Sequence, residues 1–142
     1  MKRILITENN KANELLLRDA FAAIDDSYLV TYVSSGEACL DFIQSSDNYD
    51  LCFVMLDLNV PGVVESNLLS KLSVEEAYRT IPVIVFSENT PDKEIINCYN
   101  EGANAFVHRP SDAKDYNSVI ATITDFWANV NVLAKPEAVV EF

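Results

Sequence analysis

Leu51-Cys52-Phe53-Val54-Met55-Leu56-Asp57-Leu58-Asn59-Val60-Pro61-Gly62 is the stretch on which the fold turns. Six apolar residues in succession leave no polar face, so 51–56 suits a strand covered on both sides. Asp57 then stands at its carboxyl end. Four further runs rich in β-branched residues occur at 4–7, 28–33, 82–86 and 105–108. The run at 28–33 is more mixed in polarity, as an edge strand is.

Helical patterns alternate with these runs. Leu16, Ala20, Ala23 and Ile24 form an apolar stripe that Leu17 and Phe21 widen. Ser34 followed by Glu37 predicts a capping box at the start of a second helix carrying Ala38, Leu40, Phe42 and Ile43. Leu68, Leu69 and Leu72 mark a short third helix. Thr90-Pro91 predicts an N-cap and first-turn proline for a fourth, which Gly102 ends. Ser111 is the expected cap of a fifth, with the stripe Tyr116, Val119, Ile120, Ile123, Phe126, Trp127 and Val130. Five strand–helix repeats imply parallel strands with right-handed crossovers and helices on both faces, a doubly wound open sheet.

Composition narrows the function classes. The 142 residues include 22 acidic and 10 basic side chains, a formal charge of −12, and 49% are hydrophobic. That is enough apolar material for one core, and the acidity disfavours nucleic acid and anionic lipid as partners. No apolar stretch approaches the ~18 residues of a membrane span. The apolar run near the N-terminus is too short for a signal peptide, so a cytoplasmic location is expected. Cys39, Cys52 and Cys98 are odd in number and widely spaced, which speaks against a zinc site or disulfide framework. Residues 1–133 are expected to form the domain and 134–142 a C-terminal tail.

In such sheets the working site lies beyond the carboxyl ends of the strands. Those ends carry Glu8-Asn9-Asn10, Asp57, Ser87-Glu88-Asn89 and His108-Arg109-Pro110. Two carboxylates, a hydroxyl and a fixed cation converging on one edge suit phosphoryl transfer. An aspartate can act as nucleophile, an acidic neighbour can help hold magnesium, and the hydroxyl and cation can bind phosphoryl oxygens.

Residues 2–130 resemble the receiver domain of two-component response regulators. The resemblance rests on Ile4-Leu5-Ile6-Thr7-Glu8, 56–62, Ile81-Pro82-Val83-Ile84-Val85-Phe86-Ser87, Gly102-Ala103-Asn104-Ala105-Phe106 and Arg109-Pro110. The stretch 122–136, with Asp125-Phe126-Trp127, is similar to the C-terminus of stand-alone regulators that partner bacterial phytochrome kinases. The resemblance implies a flavodoxin-like five-stranded parallel sheet of order 2-1-3-4-5 with five helices. It also implies that Asp57 accepts a phosphoryl group from a sensor histidine kinase, with no enzymatic activity beyond its own phosphorylation and dephosphorylation. Magnesium would be held by Glu8, Asn9, Asp57 and the carbonyl of Asn59. Ser87 and Phe106 match the switch pair, and Arg109 the cation that binds the phosphoryl group. The face of the fourth helix, fifth strand and fifth helix would bind a downstream protein or a second copy, with Val139-Val140-Glu141-Phe142 extending that contact.

Three positions depart from the family pattern. Asn9 stands where an acid usually binds the metal directly, Arg109 replaces a lysine, and Val63-Val64-Glu65 replaces an acid or amide followed by glycine. An amide removes a full charge from the metal site, and a guanidinium can clamp a phosphoryl group or hold Asp57 in a standing ion pair. An alternative therefore stands beside the switch: a pseudo-receiver, the same fold serving as a phosphorylation-independent interaction module. A cofactor-binding enzyme of this architecture is disfavoured, because Gly36, Gly62 and Gly102 lie too far apart for a phosphate-binding loop.

Overall fold

In the computed structural model, which describes residues 2–24, 27–45 and 51–134, the 51–56 run forms β3 (Leu51–Leu56), buried at all six positions. It lies at the centre of a parallel sheet of order β2-β1-β3-β4-β5. The other strands are β1 (Lys2–Thr7), β2 (Tyr28–Val33), β4 (Val83–Ser87) and β5 (Ala105–His108). β2 is an edge strand, which accounts for its mixed composition.

Helices α1 (Lys11–Ala22) and α5 (Ala113–Thr124) cover one face; α2 (Gly36–Ser45), α3 (Leu68–Val74) and α4 (Asp92–Asn100) cover the other. Ile4, Ile6, Phe53 and Met55 pack with Leu17, Phe21, Tyr116 and Ile120 on the first face. Leu5, Val54, Leu56 and Val85 pack with Cys39, Ile43, Leu69 and Leu72 on the second. Each fully buried aliphatic or aromatic side chain contributes about 1.5–3 kcal/mol, as an upper bound. The ladder between β1 and β3 slips once: Arg3 pairs with Leu51 and Ile4 with Phe53, which leaves Cys52 as a bulge residue. Among the described residues no disulfide forms, and Cys39, Cys52 and Cys98 are all buried. Val63 is buried in the second cluster with Cys39 and Cys98, so its departure from the family pattern supplies core.

Three expected caps lie one residue further on. The Ser35 hydroxyl, rather than Ser34, accepts the Ala38 N–H at 3.0 Å and caps α2. The start is set by tertiary contact, since the Gly36 N–H donates to Pro61 O at 2.8 Å. Thr90 does not cap α4; Pro91, extended at ψ 151, is the N-cap, and Thr90 Oγ1 donates to Glu88 O instead. α5 is capped by Asp112, which accepts from Asp115 N–H at 2.9 Å, rather than by Ser111. A carboxylate there also complements the positive end of the helix dipole.

The expected fifth-helix stripe holds through Ile123 and then changes phase. Asp125–Val130 continues as π-helix, with Asn131 N–H donating to Phe126 O. The wider turn rotates Phe126 and Val130 into solvent. Lys2 Nζ holds this extension by donating to Ala128 O at 2.6 Å and Asn129 Oδ1 at 2.9 Å. Gly102 ends α4 as expected: at φ 112 its N–H donates to Tyr99 O, while Ala103 N–H donates to Cys98 O, a Schellman closure. The expected tail from 135 onward, including 139–142, lies outside the described residues. Among those described, no helix is long and apolar enough to cross a membrane.

The start of α2 and the loop after β3 meet backbone to backbone. A Cβ on Gly36 would lie 2.3 Å from Gly62 O. Gly36→Ala is therefore expected to lower stability by about 1–3 kcal/mol, the usual range for overpacking, read as a shift of the urea unfolding midpoint at unchanged slope.

Candidate functional site

Parallel strands deliver their carboxyl ends to one edge of the sheet. There Glu8 follows β1, Asp57 follows β3, Ser87 ends β4 and Arg109 follows β5. Backbone ladders continue past the strand ends and fix these positions: Glu8 N–H donates to Val33 O at 2.9 Å, and Arg109 N–H to Ser87 O at 3.0 Å. Asn10 caps α1 by accepting from Asn13 N–H, and its own N–H donates to Glu8 Oε2 at 3.1 Å. The start of α1 thus orients the Glu8 carboxylate.

The four side chains meet. Arg109 Nη2 donates to Glu8 Oε1 at 2.7 Å and to Asp57 Oδ2 at 2.8 Å. The other Asp57 oxygen, Oδ1, accepts from Ser87 Oγ at 3.0 Å and Asn59 N–H at 2.9 Å. Glu8 is 2% exposed, Asp57 6%, Ser87 1% and Arg109 7%, so solvent screens these ion pairs little. Two carboxylates face one guanidinium, which leaves the cluster with one formal negative charge uncompensated.

Sequence reasoning placed Tyr116 in the core stripe and missed its second role. Tyr116 is buried and its hydroxyl accepts from Arg109 Nη1 at 2.6 Å. The signal was a tyrosine within an apolar stripe, because a buried phenol needs a polar partner. The Phe86 ring lies 4.7 Å from Arg109 Cζ, a cation–π contact. Burial pulls the Arg109 guanidinium down, but the Tyr116 hydroxyl and the carboxylates of Glu8 and Asp57 outweigh it and hold it above its usual range. Burial pushes the Tyr116 phenol up, and Arg109 offsets this only in part. Arg109 Nε is buried without a hydrogen-bond partner among the described residues.

The remaining expected site residues lie around this cluster. Asn9 and Asn59 are exposed in the loops after β1 and β3. Phe106 is half-buried on β5, packed against the second cluster with its ring 5.5 Å from that of His108. Its N–H donates to the Tyr99 hydroxyl on α4 at 3.0 Å. Carboxylate, carboxamide and carbonyl oxygens match a hard cation such as magnesium in kind. Both carboxylates are, however, already engaged by Arg109. Among the described residues no group of three or more His, Cys, Asp or Glu is placed to hold a metal ion.

Removing the guanidinium would leave two buried carboxylates facing each other. Arg109→Ala is expected to cost about 3–5 kcal/mol, the usual penalty for breaking a buried pair, measured by urea unfolding at neutral pH.

Comparison with known proteins bears on the family and the fold. Residues 4–121 match the family model of the response regulator receiver domain. The chain is 27% identical over 131 residues to the probable methanogenesis regulatory protein FilR2 of Methanothrix harundinacea, covering 90% of this chain and 84% of that one. It is 23% identical to the response regulator Rcp1 of Synechocystis, covering 89% and 88%. The crystal structure of RPA3017, a response regulator in red light signaling of R. palustris, superposes with a TM-score of 0.85 at 28% identity, covering 95% and 99%. The Mn(2+)-bound form of Rcp1 shares the fold, with a TM-score of 0.82 at 22% identity and coverage of 95% and 100%.

Proposed function

The chain belongs to the response regulator receiver domain family of two-component systems, and on that premise we propose that it is a phosphorelay switch whose phosphoacceptor is Asp57. The observation that carries this reading is the convergence of Ser87 Oγ and Arg109 Nη2 on the two oxygens of one buried carboxylate. Receiver domains are in general signalling modules rather than enzymes, and they work with histidine kinases and downstream proteins.

In the proposed step, an Asp57 oxygen bonds the phosphorus of a phosphohistidine on a sensor kinase. The phosphorus–nitrogen bond breaks and its electron pair leaves on the imidazole nitrogen. Ser87 and Arg109 then donate to the phosphoryl oxygens, and positioning and charge neutralisation supply most of the catalysis. Magnesium, held by Glu8, Asn9, Asp57 and the Asn59 carbonyl, would add charge neutralisation; the Mn(2+)-bound Rcp1 relative supports a divalent cation in this fold. Asn9 brings no charge, so the affinity is low. Ser87, already against Asp57, turns its hydroxyl to the new phosphoryl group and Phe106 swings inward, which biases the β5–α4 arrangement that Tyr99 ties together.

The surface read by partners is α4–β5–α5, and a cytoplasmic location follows from the kinase donor. Ile96 and Tyr99, one turn apart on α4, are exposed at 59% and 49%. Their apolar side suits a protein partner or a second copy of the chain. A second reading, the pseudo-receiver, is favoured by one observation: Arg109 already pairs with both pocket carboxylates. Calorimetry separates the two readings, since tight binding of beryllofluoride with magnesium opposes the pseudo-receiver.

The deciding experiment mixes the protein with magnesium and a small phosphodonor and follows intact mass. A gain of one phosphoryl group, lost in Asp57→Asn, is expected; no gain from either a phosphodonor or a cognate kinase sinks the proposal. Light scattering is expected to show a concentration-dependent dimer that Ile96→Asp abolishes, and a monomer at every concentration removes the self-association.

A further inference from the structure

Phosphoryl transfer as described leaves Tyr116 without a task, although it is one of the largest fully buried side chains. Its ring meets Phe86 edge-on at 5.7 Å and 87°. Phe86 in turn lies against the Arg109 guanidinium, and the Tyr116 hydroxyl accepts from Nη1 at 2.6 Å. The guanidinium is therefore held by the phenol through one terminal nitrogen while the other bridges Glu8 and Asp57. A lysine ammonium is a single point charge with no second nitrogen to spread across that gap. Arginine at 109 and tyrosine at 116 thus operate as a pair.

Glu8 and Asp57 are also the two carboxylates that a divalent cation would draw on. We infer that Tyr116 is a positioning residue: it holds Arg109 as the resident counter-cation of Glu8 and Asp57, and so sets how well a divalent metal competes for them. This rests on the reading of the pocket as a receiver acid site. Loss of the phenol hydroxyl leaves Nη1 without its buried acceptor, the guanidinium loosens, and the carboxylates become available to metal.

The test titrates the whole protein with Mn2+, without phosphodonor, by calorimetry and by paramagnetic broadening of the amide signals of residues 8–10 and 57–59. Tyr116→Phe keeps the ring and removes only the hydroxyl. It is expected to tighten Mn2+ binding roughly tenfold, the scale of one hydrogen bond to a charged group. In an Arg109→Lys background the same change is expected to do nothing. A folded Tyr116→Phe with wild-type affinity overturns the inference, including the case where only its melting temperature falls, which marks a purely structural role. If Tyr116→Phe does not fold, Arg109→Lys alone must show the tightening, and its absence overturns the inference equally. No Mn2+ binding in wild type or variants overturns the acid pocket as a metal site, a result separate from the Asp57 mass measurement.

Discussion

One guanidinium nitrogen touching two carboxylates organises the working edge of this molecule. Arg109 Nη2 joins the residue after β1 to the residue after β3, from a position after β5. That contact needs a parallel sheet with β1 and β3 adjacent and β4 and β5 next in order, so that all the strand ends face one way. It also needs burial, because the same pairs on the surface would contribute about 0–1 kcal/mol. Here solvent is excluded and each partner depends on the others.

Burying three charges is costly, and the cluster itself is weak evidence of stability. Its cost is offset by the two apolar layers around the sheet. Those layers also confer rigidity: Phe86 presents its ring to the Arg109 guanidinium from β4, and Tyr116 reaches it from α5. The same side chains thus belong to the core and to the site. An alteration in the core at either position is felt in the electrostatics of the pocket.

Much of the fold was legible because burial on both faces leaves a distinctive mark. The unbroken 51–56 run located β3, and the mixed 28–33 run identified one of the two edge strands. Gly102 marked the end of α4 because a left-handed closing residue favours glycine. Helix starts were less legible. Ser34, Thr90 and Ser111 each had a capping side chain, but in each case the cap is the residue one place on. At Gly36 the contact with Pro61 and Gly62 decides the start; at Asp112 a carboxylate outcompetes the neighbouring hydroxyl.

By itself the sequence determined which chemical groups stand at the strand ends and in what order, because residue type and hydrophobic pattern are local properties. Only the tertiary structure decided that Glu8, Asp57, Ser87 and Arg109 share one buried cluster, and that Tyr116 completes it. Those contacts join residues up to 101 positions apart in the chain. The phase change after Thr124 was likewise hidden, since a π-turn depends on how the helix end packs back against Lys2 and not on the apolar period. Distances of this kind are set by the folding of the sheet as a whole, and no local pattern carries them.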